Sequence, residues 1–488
     1  MRIRPFPRPL PSTAQRAIAV LRGLLVGWLL FTGMWSGPCI GATLRYPNGM
    51  LLAEAALLVL LLLPGGRRPR DYPFLWPCLA ALGVVLLATL ARTWARDVPF
   101  EWLSLWILGE PMLRGALIFL ALAGQPRGDR LAWGALLAGI GVLAAAVIVQ
   151  HVTGVTRWYP DLDAGWASGF RPVPDSGAWT TPRAQGLTSY INLTAALLAA
   201  ALPVWLLPAA RGRLSSRWAR AAVFAGGLLV AAALWYTGAR GPLLAVGAVA
   251  CLLLAWYSWP WGLSAVAALG LALTAAWPGK GLWALGALGM AALLTVAARA
   301  WRLRHVTPLI LALALVGGVQ AVDVYVLDLP LGWRVAEHGM ADRARLRIYR
   351  HALTVIAAAP LWGVGDTEAA AQVIRTPYPR PIDLPHTQRN FHNQPLQWAA
   401  AQGIPAALAL SLLVLGVTGW LWRRGLRLRR ERTLTAILAL ALAGASATFL
   451  LTNLPEAHFW RIEGGGFFWS LAAVGAAMVW KAGESSGR

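Results

Sequence analysis

PLQWAAAQGIPAALALSLLVLGVTGW (395–420), LWRRGLRLRRER (421–432) and LTAILALALAGASATFLLTN (434–453) read in order as apolar, basic, apolar. Each apolar run is long enough to cross a hydrocarbon core of about 30 Å as a helix, which satisfies its own backbone groups. The segment between them packs six arginines into twelve residues. Such a block stays on the side from which the chain is inserted, because arginine-rich short loops resist translocation.

That alternation extends along the whole chain. Of the 488 residues, 58% are hydrophobic and only 13% charged, with a mean hydropathy of +0.58, about half the charge of an ordinary soluble domain. Spanning helices are expected near 17–36, 50–64, 74–91, 102–123, 131–150, 188–209, 219–236, 241–258, 261–277, 282–298, 307–322, 395–420, 434–453 and 466–480. The sequence therefore predicts an all-α polytopic membrane protein of about 12–14 transmembrane helices, forming one integral membrane domain over 1–488.

The net charge of +23 raises the question of nucleic acid, but its placement excludes that class. Arginines cluster at 2–16, 67–70, 127–130, 211–220, 299–304 and 423–432, all in alternate connections, where they set topology and meet anionic lipid. An even number of spans places both termini and all these clusters in the cytoplasm. The three cysteines, Cys39, Cys78 and Cys251, form no disulfide framework and no metal-ligand spacing. The first apolar run lacks a small-residue cleavage site and is read as a retained helix.

Two outward connections are long. The first, 151–187, is rich in Trp, Pro, Gly and Asp; the second, 323–394, is the one sizeable polar segment of the chain. Within it the spacing predicts an amphipathic helix from about Arg343 to Ala358, ended by Pro360 and the Gly363–Gly365 breakers. Ionisable groups held near a membrane face suggest action on something there. His392, just before an apolar run, offers an imidazole of the kind that serves as a general base; the plain structural reading is an interfacial residue. Asn393 fits as a helix cap with Pro395 in the first turn. His386, Arg389 and Arg347 are supporting candidates. Arg240, between Gly238 and Gly241, could hold a phosphate through its planar fork or snorkel to headgroups. Arg183 could add a second guanidinium or only anchor its loop. His458, Glu456 and Arg461 in the last outer loop rank lower. Glu110 and Arg114, four residues apart in one expected span, invite an ion pair. No HExxH, paired Cys motif or GxxxxGK[ST] loop is present, so neither a metal, a nucleotide nor another cofactor is expected. A site facing outward would need a donor already activated, such as a lipid diphosphate.

Three segments, taken in order, resemble the O-antigen ligase and polymerase superfamily of bacterial membrane glycosyltransferases. TGARGPLLAVGAVACLLLA (237–255) is similar to the family's Ser-Arg-Gly segment, with Ala239 for serine. RLRIYRHALTVIAAAPLWGVGDTEA (345–369) resembles its Arg-x-x-x-Trp…Pro-x-x-Gly-x-Gly segment, with Tyr349 for tryptophan. FHNQPLQWAAAQGIPAA (391–407) resembles its His-Asn-x-x-Leu-x-x-x-x-Glu-x-Gly segment, with no acid before Gly403: Ala401 stands at the acid's position and Gln402 beside it. The resemblance implies a helical membrane glycosyltransferase fold of the GT-C-like kind, in the bacterial inner membrane, with 323–394 as a periplasmic catalytic loop. It implies metal-independent, inverting transfer of a glycan from undecaprenyl diphosphate. His392 looks like the base toward the acceptor hydroxyl, and Arg240 and Arg345, joined by Arg183, like the diphosphate-binding set. The motifs leave three acceptors open: the lipid A core sugar, which ranks first, a growing polysaccharide, or a protein hydroxyl. A transporter or flippase of lipid-linked glycans is the rival from another class, though its ionisable groups would sit at the bilayer midplane on broken helices.

Overall fold

The computed structural model describes residues 13–32, 46–62, 69–125, 128–153, 191–210, 216–257, 281–300, 306, 310, 314, 339–375, 390–428, 431, 433–459 and 462–486. Among them are fifteen α-helices: α1 (Thr13–Thr32), α2 (Tyr46–Leu62), α3 (Leu75–Arg96), α4 (Trp102–Ala123), α5 (Gly128–Val152), α6 (Ile191–Ala210), α7 (Arg217–Tyr236), α8 (Arg240–Tyr257), α9 (Gly281–Ala300), α10 (Gly339–Ala358), α11 (Asp366–Arg375), α12 (Gln394–Gln402), α13 (Ile404–Arg427), α14 (Leu434–Thr452) and α15 (Ile462–Ser486). The protein is an all-α, multi-pass membrane protein. Among the described residues, five stretches are long and apolar enough to cross a bilayer on their own composition: Leu75–Arg96, Ser104–Ala123, Arg130–Val152, Ile404–Arg427 and Leu434–Thr452. Shorter apolar helices such as Asn192–Trp205 and Ala221–Tyr236 pack among them. The spans expected at 261–277 and 307–322 fall almost wholly outside the described residues.

Helix α14 is the centre of the bundle, packed against α6, α8, α13 and α15. Its residues from Ile437 to Ala443 are all buried, as a helix hydrophobic all round requires. The tightest contact joins α4 to α15. Glycines on both helices permit it: on α15 a Cβ on Gly465 would meet Pro111 and one on Gly466 would strike the Arg114 guanidinium, and on α4 Gly115 faces the Trp469 carbonyl. Small residues of this kind let membrane helices approach backbone to backbone.

One end of the bundle gathers Arg130, Arg217, Arg423, Arg424, Arg427 and Lys481; the other gathers the connections 97–101, 237–239, 390–393 and 453–459 together with α10–α12. The three short helices share a small core of Ile348, Ala352, Val355, Ile356, Ala369, Phe391, Ala400 and Ala401. It lies over the polar end as a separate layer.

One expectation is corrected. The run 395–420 is not one span: it is α12 followed by α13, separated at Gly403, whose φ is +84°. Apolar composition alone ran the two together. The cause of the break is tertiary, since a Cβ on Gly403 would lie 2.3 Å from the Leu361 carbonyl oxygen. The helix expected from about Arg343 forms, beginning four residues earlier at Gly339 and ending at Ala358.

Candidate active site

The segment Pro360–Gly365 lies along the end of α12, backbone against backbone. Val364 N donates to Ala400 O at 2.8 Å, Gly365 N to Ala401 O at 2.9 Å, and Ile404 N to Pro360 O at 2.8 Å. Gly363 (φ +68°) has no room for a side chain, since its Cβ would sit 2.4 Å from Ala401 O. The Pro-x-x-Gly-x-Gly spacing is thus a cradle that fixes α12.

At the other end of α12, Asn393 caps the helix: its Oδ1 accepts from Leu396 N at 3.0 Å, and its Nδ2 donates to Leu454 O at 2.8 Å. Gln394 N donates to Asn453 O, and Gln394 Oε1 accepts from Phe459 N at 2.9 Å. The connection 453–459 is therefore stitched to the start of α12. Phe459 in turn packs edge-on against Phe449 and Phe468.

His392 lies in this junction, 4% exposed, with a left-handed φ of +51°. A non-glycine residue there costs of order 1–3 kcal/mol and persists only where surroundings hold it. They do: the His392 N–H donates to Asn390 Oδ1 at 2.9 Å, the Tyr349 hydroxyl donates to His392 O at 2.9 Å, and the neighbouring Phe391 is fully buried. Tyr349, at the position where the resemblance expects tryptophan, thus serves the histidine backbone.

The imidazole meets a carboxylate from the connection between α14 and α15. His392 Nδ1 lies 3.0 Å from Glu456 Oε2, while Glu456 Oε1 accepts from Arg345 at 2.7 Å and from Asn192 Nδ2 at 2.7 Å. Burial alone would push the Glu456 carboxyl up. The His392 charge and hydrogen bond, Arg345 and His458 outweigh it, and bring the carboxyl down to about 2. Glu456 is therefore an anion at any physiological pH, and an anion can only accept hydrogen bonds. It fixes the tautomer: Nδ1 carries the proton, and Nε2 is left as the basic nitrogen. Arg345 is 36% exposed, in contrast to its partner. One guanidinium nitrogen holds Glu456, and the partly open remainder is available to an anion.

A second polar network lies at the far end of α12. Glu101 caps α11, accepting from Asp366 N and Thr367 N, each at 2.9 Å, and pairs with Arg92 at 2.9 Å. Arg92 also donates to Ala401 O at 3.0 Å. Asp366 accepts from Ser104 and from Gln402 Nε2, the latter at 2.7 Å. Burial pushes the Asp366 carboxyl up to about 6; the Ser104 and Gln402 bonds and Arg92 pull against it, and Glu101 adds to the rise. Gln402 thus donates to the Asp366 carboxyl.

Of the residues singled out from sequence, the structure brings His392, Arg345 and Asn393 into one junction. Arg347 is exposed on another side of α10. Arg240 begins α8, and the adjacent Gly241 faces Pro455 in the 453–459 connection, with room for a Cβ only at 3.3 Å. Arg183, His386 and Arg389 lie outside the described residues. Glu456, from the lower-ranked set, joins His392 and Arg345. Nothing in local spacing ties it to a histidine 64 positions away; the signal available was an acid in a chain holding only 20 of them. Among the described residues no group of three His, Cys, Asp or Glu side chains is placed to hold a metal ion.

Fold and junction together define a multi-pass membrane protein with a histidine–carboxylate–guanidinium cluster at one end of its bundle. Residues 225–411 match the family model described as O-antigen ligase, and this segment belongs to the O-antigen ligase superfamily. Members of that family are membrane glycosyltransferase-like enzymes, which implies a glycan or lipid-linked substrate in a membrane setting. The match spans Arg240, Arg345 and His392 and stops short of Glu456. No curated protein matches the chain.

Proposed function

We propose that this protein is a metal-independent, inverting glycosyltransferase. It transfers a glycan from undecaprenyl diphosphate to a sugar hydroxyl on the periplasmic side of the bacterial inner membrane, with the lipid A core as acceptor. The observation that carries this reading is that one buried carboxylate, Glu456, is shared by His392 and Arg345.

His392 Nε2 takes the proton of the acceptor hydroxyl as its oxygen attacks the anomeric carbon from the face opposite the diphosphate. Such a base is worth roughly 10²–10⁴-fold. The imidazolium that forms is stabilised by the Glu456 anion across the 3.0 Å contact. The C1–O bond to the diphosphate breaks, and the leaving group departs with the electron pair. Arg345, Arg240 and Arg183 form the guanidinium set for that charge, as preorganised cations do wherever negative charge develops. The orientation follows from the arginine clusters at the opposite end of the bundle, which the positive-inside rule assigns to the cytoplasm.

The test is to incubate the purified protein with undecaprenyl-diphosphate-linked glycan and, in separate reactions, a lipid A core acceptor, a glycan primer and a serine- or threonine-bearing protein. Extension of the lipid A core supports the reading. Extension of only the primer or only the protein would move the enzyme to the polymerase or the protein-glycosylating branch. No product with any acceptor, alongside flipping of the donor in vesicles, would make it a transporter.

A further inference from the structure

Glu456 is the middle residue of the seven-residue connection 453–459, and one residue of α12 holds both ends of that connection. Gln394 opens α12, two positions after His392. Its backbone N–H donates to Asn453 O at 3.1 Å, and its side-chain Oε1 accepts from Phe459 N at 2.9 Å. Asn453 and Phe459 are the first and last residues of the connection.

Two further bonds shape the same loop. His458 N donates to Asn453 Oδ1 at 2.9 Å, and Asn393 Nδ2 donates to Leu454 O at 2.8 Å. The start of the connection is thus bonded to α12 through two residues, and its end through the Gln394 amide. Gln394 is fully enclosed, at 1% exposure, and a buried backbone N–H such as that of Phe459 needs an acceptor. Glutamine supplies one without a charge of its own, so it adds no repulsion to the Glu456 anion. The Phe459 ring is held separately, edge-on against Phe449 and Phe468. Apolar packing therefore keeps this end of the loop in the bundle, while the amide sets the path of the backbone between.

We propose that Gln394 is a positioning residue for the transfer proposed above, on which this role rests. By holding both ends of the connection it sets the Glu456 carboxylate against His392 Nδ1. Because Glu456 also holds Arg345, a shift of the loop disturbs the base and the guanidinium together.

Proton NMR of the purified protein reads the pairing without any substrate. The His392 Nδ1 proton, buried and 3.0 Å (N to O) from a carboxylate partner, should give a resonance far downfield that is absent from His392→Ala and Glu456→Gln. Gln394→Met keeps the length and loses the acceptor, and should abolish that resonance or move it upfield. Gln394→Asn, one methylene too short to reach Phe459 N, should do the same and is the variant read if Gln394→Met does not fold. In transfer, Gln394→Met should lower kcat about tenfold, leave the donor KM within about twofold, and add nothing to the loss in the Glu456→Gln background. A glutamine with a merely structural role would lower the melting temperature and leave the resonance in place. An unmoved resonance in a folded variant, its absence from wild type, or a full additional loss in the Glu456→Gln background would overturn the proposal. If wild type forms no product, the glycosyltransferase reading fails, while the resonance still decides whether Gln394 sets the pair.

Discussion

Helix α12 is held between two carboxylates that meet opposite fates. At its start, Glu456 is surrounded by donors and cations from His392, Arg345 and Asn192, and lies far below the usual carboxylate range at about 2. At its end, Asp366 is partly enclosed and shares its surroundings with Glu101, and rises to about 6. Desolvation raises both. What separates them is the sign of the neighbouring charge. A carboxylate locked in its ionised form can orient a base and stabilise its protonated state. One that titrates near neutrality cannot do so reliably, and its contacts are those of a brace. The comparison supports the chemistry proposed for the start of α12 and a bracing role for its end.

The largest effect should come from the start. His392→Ala is expected to lower transfer by about 10²–10⁴-fold while donor binding stays measurable. Asp366→Asn, which keeps an oxygen for Ser104 and Gln402, should transfer at close to the wild-type rate. Comparable losses in the two variants would erase the distinction. Next, Arg345→Lys should lower transfer well beyond tenfold with normal folding, because an ammonium cannot hold Glu456 and an anion through one planar fork; the check is product formation in membranes matched for protein level.

Stability against pH should separate the carboxylates with opposite signs. Glu456 binds a proton less readily in the folded chain than in the unfolded chain. Its contribution, on the order of 3 kcal/mol, is present above about pH 4.5 and lost as the pH falls toward 2. Asp366 binds its proton more readily when folded, so it favours the native state at low pH, and that advantage is lost as the pH rises through about 6. Asp366→Asn should thus melt higher than wild type at pH 8 and about equal to it at pH 4; Glu456→Gln should melt lower at pH 8, with the deficit shrinking in acid. Gln402→Glu is the smallest probe. It places a second carboxyl 2.7 Å from Asp366 and should lower the melting temperature at pH 8 by a few degrees, with little change at pH 5.

The sequence made some of this visible and hid the rest for physical reasons. Membrane spans follow from hydropathy, because lipid leaves the backbone few alternatives. The Asn393 cap and α10 were legible because their signals are local. The break at Gly403 was not, since the Leu361 carbonyl that forbids a side chain there lies 42 positions earlier in the chain. The pairing of Glu456 was hidden for the same reason: the hairpin of α14 and α15 carries it to His392, and hydropathy says nothing about which loops meet. The Tyr349 hydroxyl, read from sequence only as a departure from tryptophan, gains its meaning from one hydrogen bond to a strained histidine backbone.

The central claim is that His392 and Glu456 act as one unit. A double-mutant cycle on transfer measures this most directly, using purified wild type, His392→Ala, Glu456→Gln and the double variant at saturating donor. If the carboxylate works through the imidazole, Glu456→Gln should slow the wild type by at least tenfold and cost nothing further once His392 is gone. A double variant slower than His392→Ala by the full Glu456→Gln factor would contradict the account.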